Sequence, residues 1–307
     1  MSAKIACVIP SYNHAKYILE AIESALRQTF PPDRLIIIDD GSSDESVKRI
    51  RTINDPKIHL IEQENQGAHA ALNRGLALAD KSDFIAILNS DDRYHQARFA
   101  KCAAYLERNP DIQLVCTRVR VIDQSGVPVG GKDGKQRSLD RIWSHLRKPE
   151  NLVPALGYGN FTKTTSNFFF RSGAIPEFRP YRYAHDYFAA LMLALQQTLG
   201  LIHEELLDYR IHSTNTIKAE GKGAVMSEVI RMHLDLLREL RPRLETEPLL
   251  RKRLVDYLKV VLNNYTDMRS ELLFLSLSRA LDGDSDLTKD FASCPEVTEP
   301  STPVPQN

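Results

Sequence analysis

Short apolar runs alternate with amphipathic stretches along the first ninety residues of the chain. Each run is four or five residues long, with His59 as one polar residue in the third, and is bounded by proline or polar residues, which predicts buried β-strands. Apolar positions in the intervening stretches recur at helical spacing, which predicts amphipathic helices. The predicted strands are Ile5–Ile9, Leu35–Ile38, Ile58–Ile61 and Phe84–Leu88, and the predicted helices cover residues 15–26, 47–53 and 68–79.

This repeated alternation predicts an α/β fold with a mostly parallel central sheet that is flanked by helices on both faces. Ligands of such sheets bind beyond the carboxyl ends of the strands. The residues that directly follow each strand are therefore the first candidates for a functional site.

The pattern after residue 94 is less regular. Residues 130–135 are rich in glycine and lysine and predict a mobile loop. Residues 282–307 are rich in Pro, Ser, Thr and acid, which predicts a disordered tail. Helices are predicted over 95–107, 188–199, 226–242, 245–263 and 269–281, and strands over 115–121, 164–170 and 206–211.

The composition excludes several classes of protein. Hydrophobic residues make up 42% of the 307 residues, which is enough for a packed core. Forty basic residues balance forty acidic ones, so the chain lacks the basic excess of a nucleic-acid-binding protein. No apolar run approaches the roughly 20 residues that cross a bilayer, and the first strand leaves no room for a signal peptide. These features predict a soluble cytoplasmic protein.

The chain has four cysteines, and none of them forms a C-x-x-C pair. This spacing argues against a zinc site. Cys7, Cys102 and Cys116 lie in apolar segments, which predicts reduced core residues in a reducing compartment.

Acidic and polar residues follow three of the predicted strands. Asp39 and Asp40 follow the second strand, Asn89–Asp92 the fourth and Pro10–Asn13 the first. In a parallel sheet these loops lie at one edge, where clustered carboxylates are costly unless a cation offsets them. A Mn²⁺ or Mg²⁺ ion that joins the carboxylates to a diphosphate fits this pattern. Capping of the next helix is the simpler explanation for Asp44, and it remains an alternative for Asp39 or Asp40 taken singly.

Other nucleotide-binding and hydrolytic motifs are absent from the sequence. The loop after the first strand contains no glycine, so there is no G-x-G-x-x-G dinucleotide motif. The segment from Gly126 comes closest to a P-loop, but Asp133 stands where the metal-binding hydroxyl is required. No G-x-S-x-G nucleophile elbow occurs.

Six short segments stand in order within the first hundred residues: Val8–Asn13, Ala21–Phe30, Ile38–Asp44, Asn65–Gly67, Asn73–Gly75 and Leu88–Asp92. Together they resemble the corresponding segments of the family 2 glycosyltransferases of the A-type (GT-A) fold. The resemblance implies transfer of a sugar from a nucleotide-diphosphate donor to an acceptor hydroxyl, with inversion at the anomeric carbon, in cell-surface polysaccharide biosynthesis. The match weakens after about residue 125.

The resemblance implies donor-binding roles in the first two loops. Asp40 is expected to accept a hydrogen bond from the imino group of a pyrimidine base, which favours UDP or dTDP. Pro10 and Tyr12 are expected to shape the base pocket, and Asp39 to lie on the ribose side of it.

The loop after the fourth strand matches the D-x-D motif of the family. Asp91 corresponds to the last acid and is the expected ligand of Mn²⁺ or Mg²⁺ beside the diphosphate. Asn89 replaces the first acid; its amide can hydrogen-bond a ribose hydroxyl but carries no charge. Ser90 is an expected contact of the nucleotide-sugar donor. Asp92 is expected to support the loop Asn89–Asp92, called the metal loop below, or to face the sugar.

Two further matches lie in the second half of the chain. Asp186, within Ala184–Tyr187, stands where the family places the general base, although His185 replaces the usual Glu before it; helix capping is the alternative. His212, within Tyr209–His212, matches a histidine that closes the metal site. Weaker candidates for the acceptor pocket are His185, Thr165, Ser166 and Asn167, of which the last three equally fit an ordinary strand edge.

The resemblance also predicts the domains. Residues 1–220 are the expected catalytic domain, with a nucleotide-binding half (1–110) and an acceptor half (111–220). Residues 221–281 are the expected helical extension and 282–307 the tail. The helical stripes after residue 225 fit core packing best, with a homodimer or peripheral contact with the inner membrane face as alternatives.

The predicted partners are a nucleotide-diphosphate sugar and a glycan, lipid-linked glycan or other hydroxyl acceptor, with no nucleic acid. Two other functions stay open at this point. A sugar-phosphate nucleotidyltransferase would use a similar sheet, although it usually carries a glycine-rich basic loop after the first strand. A non-catalytic nucleotide-sugar-binding protein is favoured by Asn89.

Overall fold

The computed structural model describes residues 3–130, 133–146, 148–213, 215 and 222–264. Within these ranges, eight strands form one mixed sheet in the order β3-β2-β1-β4-β7-β6-β8-β5. The strands are β1 (Ile5–Ser11), β2 (Arg34–Asp39), β3 (Ile58–Glu62), β4 (Phe84–Ile87), β5 (Arg93–Tyr94), β6 (Leu114–Ile122), β7 (Phe169–Arg171) and β8 (Leu199–Arg210).

Helices flank the sheet, so the predicted α/β fold class is confirmed. Two short 3₁₀ segments cover Pro149–Asn151 and Thr165–Asn167. The α-helices are α1 (Ile18–Leu26), α2 (Ser46–Ile50), α3 (Ala68–Leu78), α4 (Arg98–Arg108), α5 (Gly134–His145), α6 (Leu152–Gly157), α7 (His185–Leu195), α8 (Lys222–Leu244) and α9 (Pro248–Asn264).

The first four strands form the parallel half of the sheet, with β1 at its centre. β1 pairs in parallel with β2 and β4, and β2 pairs in parallel with the edge strand β3. The central strands are buried on both faces, which explains their unbroken apolar runs. Helix α3 packs closely on β1, because a Cβ on Gly75 would lie only 2.2 Å from Cγ1 of Val8.

The register of β1 and β2 places their polar ends side by side. Ser11 pairs with Asp39 at the last position of the ladder, and β4 pairs with β1 as far as Val8 and Ile87, three residues before Ser11. The loops that begin at residues 12, 40 and 88 therefore lie together at the carboxyl edge.

The predicted strand over 164–170 is wrong in its first half. Thr165–Asn167 form a 3₁₀ turn, and only Phe169–Arg171 join the sheet. The hydroxyl of Thr164 accepts the backbone N–H of Ser166 at 3.2 Å and so caps this turn. Side-chain bonding of this kind competes with a strand ladder.

The predicted mobile loop over 130–135 is also wrong at its end. Helix α5 begins at Gly134, and the side chain of Asp133 caps it by accepting N–H groups from Lys135 (2.8 Å) and Gln136 (3.2 Å). Residues 131 and 132 lie outside the described ranges.

The helix predicted over 188–199 ends sooner than its apolar stripe suggests. Helix α7 stops at Leu195, because Gln197 adopts a left-handed conformation with φ of 63°. The chain then enters β8 at Leu199, seven residues before the predicted strand. The helices α5 and α6 and the short strand β5 were not predicted.

The two C-terminal helices bury their apolar faces in the same core as the sheet. Met232, Leu236 and Tyr257 are fully buried there. Helix α9 approaches α6 so closely that a Cβ on Gly157 would lie 2.7 Å from Val260. Core packing is therefore confirmed for α8 and α9, whereas the division of the chain into domains stays a prediction.

The predicted helix over 269–281 and the predicted disordered tail lie outside the described residues. Among the residues that are described, none of the helices combines the length and the apolar character that crossing a bilayer requires.

Candidate functional site

The loops after β1 and β2 are joined by hydrogen bonds. Asn13 has a left-handed φ of 52°, a conformation that asparagine tolerates. Its Oδ1 accepts the backbone N–H of Ser43 at 2.8 Å, and its own N–H donates to Ser42 Oγ at 2.9 Å. These bonds hold the two loops as one unit at the edge of the sheet.

Asp39 lies inside this junction. Its Oδ1 accepts the backbone N–H of Ser42 (2.9 Å), and its Oδ2 accepts the hydroxyls of Ser42 (2.8 Å) and Ser11 (3.2 Å). The carboxylate is buried and shapes the loop from within. The predicted ribose-side role of Asp39 stays a prediction.

The buried carboxylate of Asp40 is held by three donors from the segment before α3. Oδ1 accepts from Gln63 Nε2 (2.7 Å) and from the backbone of Gln66 (2.9 Å), while Oδ2 accepts from the backbone of Gly67 (2.8 Å). A carboxylate offers about four acceptor positions, so about one remains on Oδ2 for a ligand. This geometry is compatible with the predicted bond to an imino N–H.

Two predicted base-pocket residues lie on either side of Ser11, whose carbonyl accepts the backbone N–H of Asp40 at 2.8 Å. Pro10 pairs with Ile38 near the ends of β1 and β2. Tyr12 follows β1 and exposes 48% of its surface. An exposed aromatic ring beside a buried carboxylate is suited to stacking on a planar base.

The structure brings together three potential metal ligands. One ligand atom from each of His14, Asp91 and His212 lies within 4.8 Å of the other two. His212 Nε2 is 2.9 Å from Asp91 Oδ2, and His14 Nδ1 is 2.8 Å from the hydroxyl of Ser90. The predicted pair Asp91 and His212 therefore meets a histidine that was not predicted, and Ser90 orients that histidine.

Asp91 and Asp92, the two acids of the loop after β4, have pKa values that are shifted in opposite directions. Burial alone would raise the pKa of Asp91, but the charge of His14 and the hydrogen bond of His212 outweigh it, so that its pKa is lowered. Burial and the neighbouring charge of Asp91 raise the pKa of Asp92 well above its usual value. Asp91 is thus the anionic member of the pair.

Asp92 is tied into the fold rather than directed at solvent. Its Oδ1 accepts the backbone N–H of Arg210 at 2.9 Å, and its Oδ2 accepts the hydroxyl of Ser166. Of its two predicted roles, the geometry supports that of holding the metal loop in place.

The side chain of Asn89 also forms hydrogen bonds within the fold. Its Nδ2 donates to Thr164 Oγ1 at 2.8 Å, and its Oδ1 accepts the hydroxyl of Thr165 at 2.9 Å. The amide is both donor and acceptor here, a combination that an ionised carboxylate cannot supply. Asn89 therefore has a structural reason to replace the acid, and its predicted contact with ribose stays a prediction.

The predicted acceptor residues Thr165, Ser166 and Asn167 are at most 2% exposed. Asn167 Oδ1 accepts the backbone N–H of Thr117, and its Nδ2 donates to the Thr117 carbonyl, both at 2.9 Å. These contacts give the Asn167 side chain a structural role, and the predicted acceptor role of the three residues stays a prediction.

Asp186 lies in the first turn of α7, 7% exposed. Its Oδ1 accepts the backbone N–H of Tyr187 at 2.7 Å, and its Oδ2 accepts Nδ2 of Asn160 at 2.9 Å. Burial raises the pKa of Asp186 against the opposing effects of His185 and these hydrogen bonds. A carboxylate of this kind is better matched to proton abstraction near neutral pH than an exposed one.

Residues 160–167 form a bridging turn between Asp186 and the metal loop. At one end, Asn160 donates to Asp186 and accepts the hydroxyl of Thr162 at 2.6 Å. At the other end, the hydroxyl of Thr164 accepts from Asn89. The turn fixes the relative positions of two sites that are far apart in sequence.

Helix α8 holds the segment that precedes α7. The carboxylate of Glu228 accepts backbone N–H groups from Arg182 (2.8 Å), Tyr183 and Ala184 (2.9 Å). His185 Nδ1 lies 3.1 Å from the carbonyl of Tyr181 in the same segment. The extension therefore fixes the N-terminal end of the helix that carries Asp186, and it leaves His185 bonded to its own backbone.

The guanidinium of Arg210 is buried and stabilises the backbone of the metal loop. It is 1% exposed, and its Nε donates to the carbonyl of Asp91 at 2.8 Å. Glu20 pairs with both Arg210 and Arg93, and Arg93 pairs with Asp208 at 2.8 Å. This network compensates the buried charge, as a buried ion requires.

Sequence reasoning missed four of these residues. His14 directly follows the matched segment Val8–Asn13, so its place after β1 was a usable signal. Arg210 lies within a matched segment but received no role. Asn160 and Glu228 have no local signal, because their partners are distant in sequence.

Comparison with known proteins agrees with this geometry. The sequence model described as "Glycosyl transferase family 2" matches residues 6–178. A relative from Rickettsia prowazekii (strain Madrid E), called an uncharacterized glycosyltransferase, is 30% identical over 225 residues, which is 70% of this chain and 66% of that protein. Chondroitin synthase of Escherichia coli is 32% identical over 124 residues, 40% of this chain and 18% of that protein. The chain thus spans slightly less than two thirds of the first relative.

A solved structure of S. aureus TarS 1-349 in complex with UDP-GlcNAc has a TM-score of 0.59 and 16% sequence identity, covering 94% of this chain and 91% of that one. At this identity the likeness is one of fold. The family match covers more than half of the chain and includes β1, β2 and β4 with their polar loops. This protein therefore belongs to glycosyl transferase family 2 and adopts its A-type fold.

Proposed function

We propose that the protein transfers a sugar from a nucleotide-diphosphate donor to an acceptor hydroxyl, with inversion, and that Asp186 is the general base. One observation carries this proposal: a buried carboxylate with a raised pKa is tied, through the bridging turn, to the loop that presents Asp91 beside two histidines. Family membership supports the reaction class.

A uridine donor fits the first two loops. Asp40 retains about one acceptor position for an imino N–H, and Tyr12 offers an exposed ring for the base. TarS, whose fold is similar, is described in complex with UDP and with UDP-GlcNAc.

The donor set of His14, Asp91 and His212 fits a divalent cation. Two imidazoles and one carboxylate suit Mn²⁺ better than Mg²⁺, which prefers oxygen ligands. When bound, such an ion stabilises the negative charge that develops on the diphosphate leaving group.

The residues of the chain itself account for the proton transfer. Asp186 accepts the proton of the acceptor hydroxyl as that hydroxyl attacks the anomeric carbon. Asn160 and the backbone of Tyr187 hold the carboxylate in one orientation. A single displacement from the face opposite the leaving group inverts the anomeric configuration.

The test is a panel of radiolabelled UDP-, dTDP-, GDP- and CDP-sugars with Mn²⁺, and its readouts are bound donor, release of free sugar and transfer to added glycans. We expect turnover of a UDP-sugar, loss of donor binding and turnover in Asp91→Asn, and no change in Glu107→Gln, an exposed acid on α4. If the protein neither binds nor turns over any nucleotide sugar, the proposal is contradicted. Binding without turnover would identify a binding protein.

A further inference from the structure

Lys163 has a backbone conformation that lysine rarely adopts. Its φ is 75°, in the left-handed region, within the bridging turn. Strained residues of this kind persist only where the surrounding structure enforces them, and they cluster at functional sites. The contacts of Asn160 and Thr164 on either side supply that enforcement.

The side chain of Lys163 lies between the two halves of the candidate site. Its ammonium is 5.6 Å from the centre of the Tyr209 ring. Tyr209 directly precedes Arg210, whose backbone N–H donates to Asp92 at 2.9 Å, so its ring lies beside the metal loop. Burial raises the pKa of Tyr209, and the charges of Asp92, Asp91 and Asp186 raise it further.

The charge of Lys163 has no acid to pair with among the residues that the structure describes. Burial lowers the pKa of Lys163, nearby Lys135 lowers it further, and Asp186 opposes both without forming an ion pair. A half-buried cation that lacks a paired acid is stabilised by an anionic ligand.

We propose that Lys163 binds the diphosphate of the nucleotide donor, on the side of that group which faces Asp186. This inference rests on the proposed function and adds a residue to it. The donor's diphosphate must lie between the metal loop and the base, and Lys163 is the cation that the bridging turn presents there. Its charge then also stabilises the departing diphosphate, as positioned cations do in group transfer.

A purely structural role makes different predictions. If Lys163 serves only to stack on Tyr209, then removal of its charge lowers thermal stability and leaves ligand affinity unchanged. If it binds the diphosphate, its strain is retained for function, so Lys163→Gly keeps or raises the melting temperature of the free protein.

The experiment measures binding of UDP and of uridine by calorimetry with Mn²⁺ present, for the full chain and for Lys163→Met, Lys163→Gly and Lys163→Arg. We expect UDP affinity to fall about ten- to a hundredfold in the first two variants, as for loss of a charged hydrogen bond. Uridine affinity should stay unchanged, and Lys163→Arg should recover part of the loss. Lys81→Met, an exposed lysine at the opposite edge before β4, is the matched control.

The outcomes separate this inference from the proposed function. If the wild-type protein binds UDP but Lys163→Met binds it equally well, the inference is overturned and the proposed function stands. If the wild-type protein binds neither UDP nor uridine, both are overturned. Equal losses for UDP and uridine would show a general disturbance of the pocket and would also overturn the inference.

Discussion

The two halves of the candidate site are built in different ways. On the nucleotide side, Asp40 directly follows β2. Its carboxylate accepts hydrogen bonds from the backbone N–H groups of Gln66 and Gly67, just before α3. On the opposite side, Asp186 depends on Asn160 from the bridging turn, and its helix depends on Glu228 from α8. The first half is organised by strand topology and the second by side-chain contacts between distant segments.

This difference has a physical cause. The carboxyl ends of parallel strands lie at one edge of the sheet. Strand pairing alone therefore places the loops of the first half next to one another. The second half contains antiparallel pairs and irregular turns, so packing of helices decides which side chains meet. Lys163 lies between the two halves and is expected to affect donor binding. Other substitutions in the second half should change turnover, whereas those in the first half should change donor binding or stability.

The largest expected effect is that of Asp186→Asn. Loss of the general base should lower kcat by about 10²–10⁴-fold, while the Kd for UDP with Mn²⁺ stays unchanged. Asn keeps the shape of the side chain and its bond to Tyr187 is preserved through its carbonyl oxygen. Steady-state kinetics with a calorimetric Kd checks this, and near-normal transfer would contradict the assignment of the base.

The next effect is that of Glu228→Ala. Without this carboxylate, three N–H groups before α7 lose their acceptor, and Asp186 shifts with the helix end. We expect kcat to fall about ten- to a hundredfold, as for small displacements of a catalytic group, with a smaller change in donor affinity.

The control for this variant is Glu239→Ala, on the same helix. Glu239 forms a solvent-exposed pair with Arg179 at 2.7 Å, and such pairs contribute about 0–1 kcal/mol. If both variants lower kcat equally, α8 acts through general stability rather than through the position of Asp186.

A smaller effect is expected in the first half, for Gly41→Ala. Gly41 has a φ of 77°, and an added Cβ would lie 3.0 Å from the backbone N of Asn65. The strain should lower the free energy of unfolding by about 1–2 kcal/mol, measured by urea titration. UDP affinity should fall while kcat at saturation stays close to normal; the reverse pattern would break the distinction between the halves.

The smallest effect concerns pH. Because the folded state raises the pKa of Asp186, it binds that proton more tightly than the unfolded chain, whose Asp pKa is about 3.9. The associated stability is present below that value and is lost as pH rises through the folded pKa. Melting temperatures of Asp186→Asn relative to wild type should therefore increase from pH 4 towards pH 7. If the difference in melting temperature between Asp186→Asn and wild type does not vary with pH, then folding does not shift the pKa of Asp186.

Much of the first half was predictable from its sequence. Apolar runs identified β1 to β4, and the polar residues after them identified Asp40 and Asp91 as neighbours at one edge. Even there, His14 was missed, because its proximity to Asp91 depends on the path of the loop after β1, which the apolar pattern does not encode.

In the second half, the predicted strand over 164–170 failed for a related reason. Threonine and phenylalanine favour strands, but the hydroxyls and amides of this segment bond to Asn89, Asp92 and Thr117 instead. The local sequence pattern does not indicate these partners, because they lie far away along the chain.

The sequence by itself determined the alternation of strands and helices, the family, and the acids that stand at strand ends, because periodicity and short motifs are local properties of the chain. The tertiary structure alone decided that His14 joins Asp91 and His212, that Glu228 holds the start of α7, and that Lys163 lies near both Tyr209 and Asp186. Those relations depend on packing between segments far apart in sequence, and no local pattern encodes a distance across the fold.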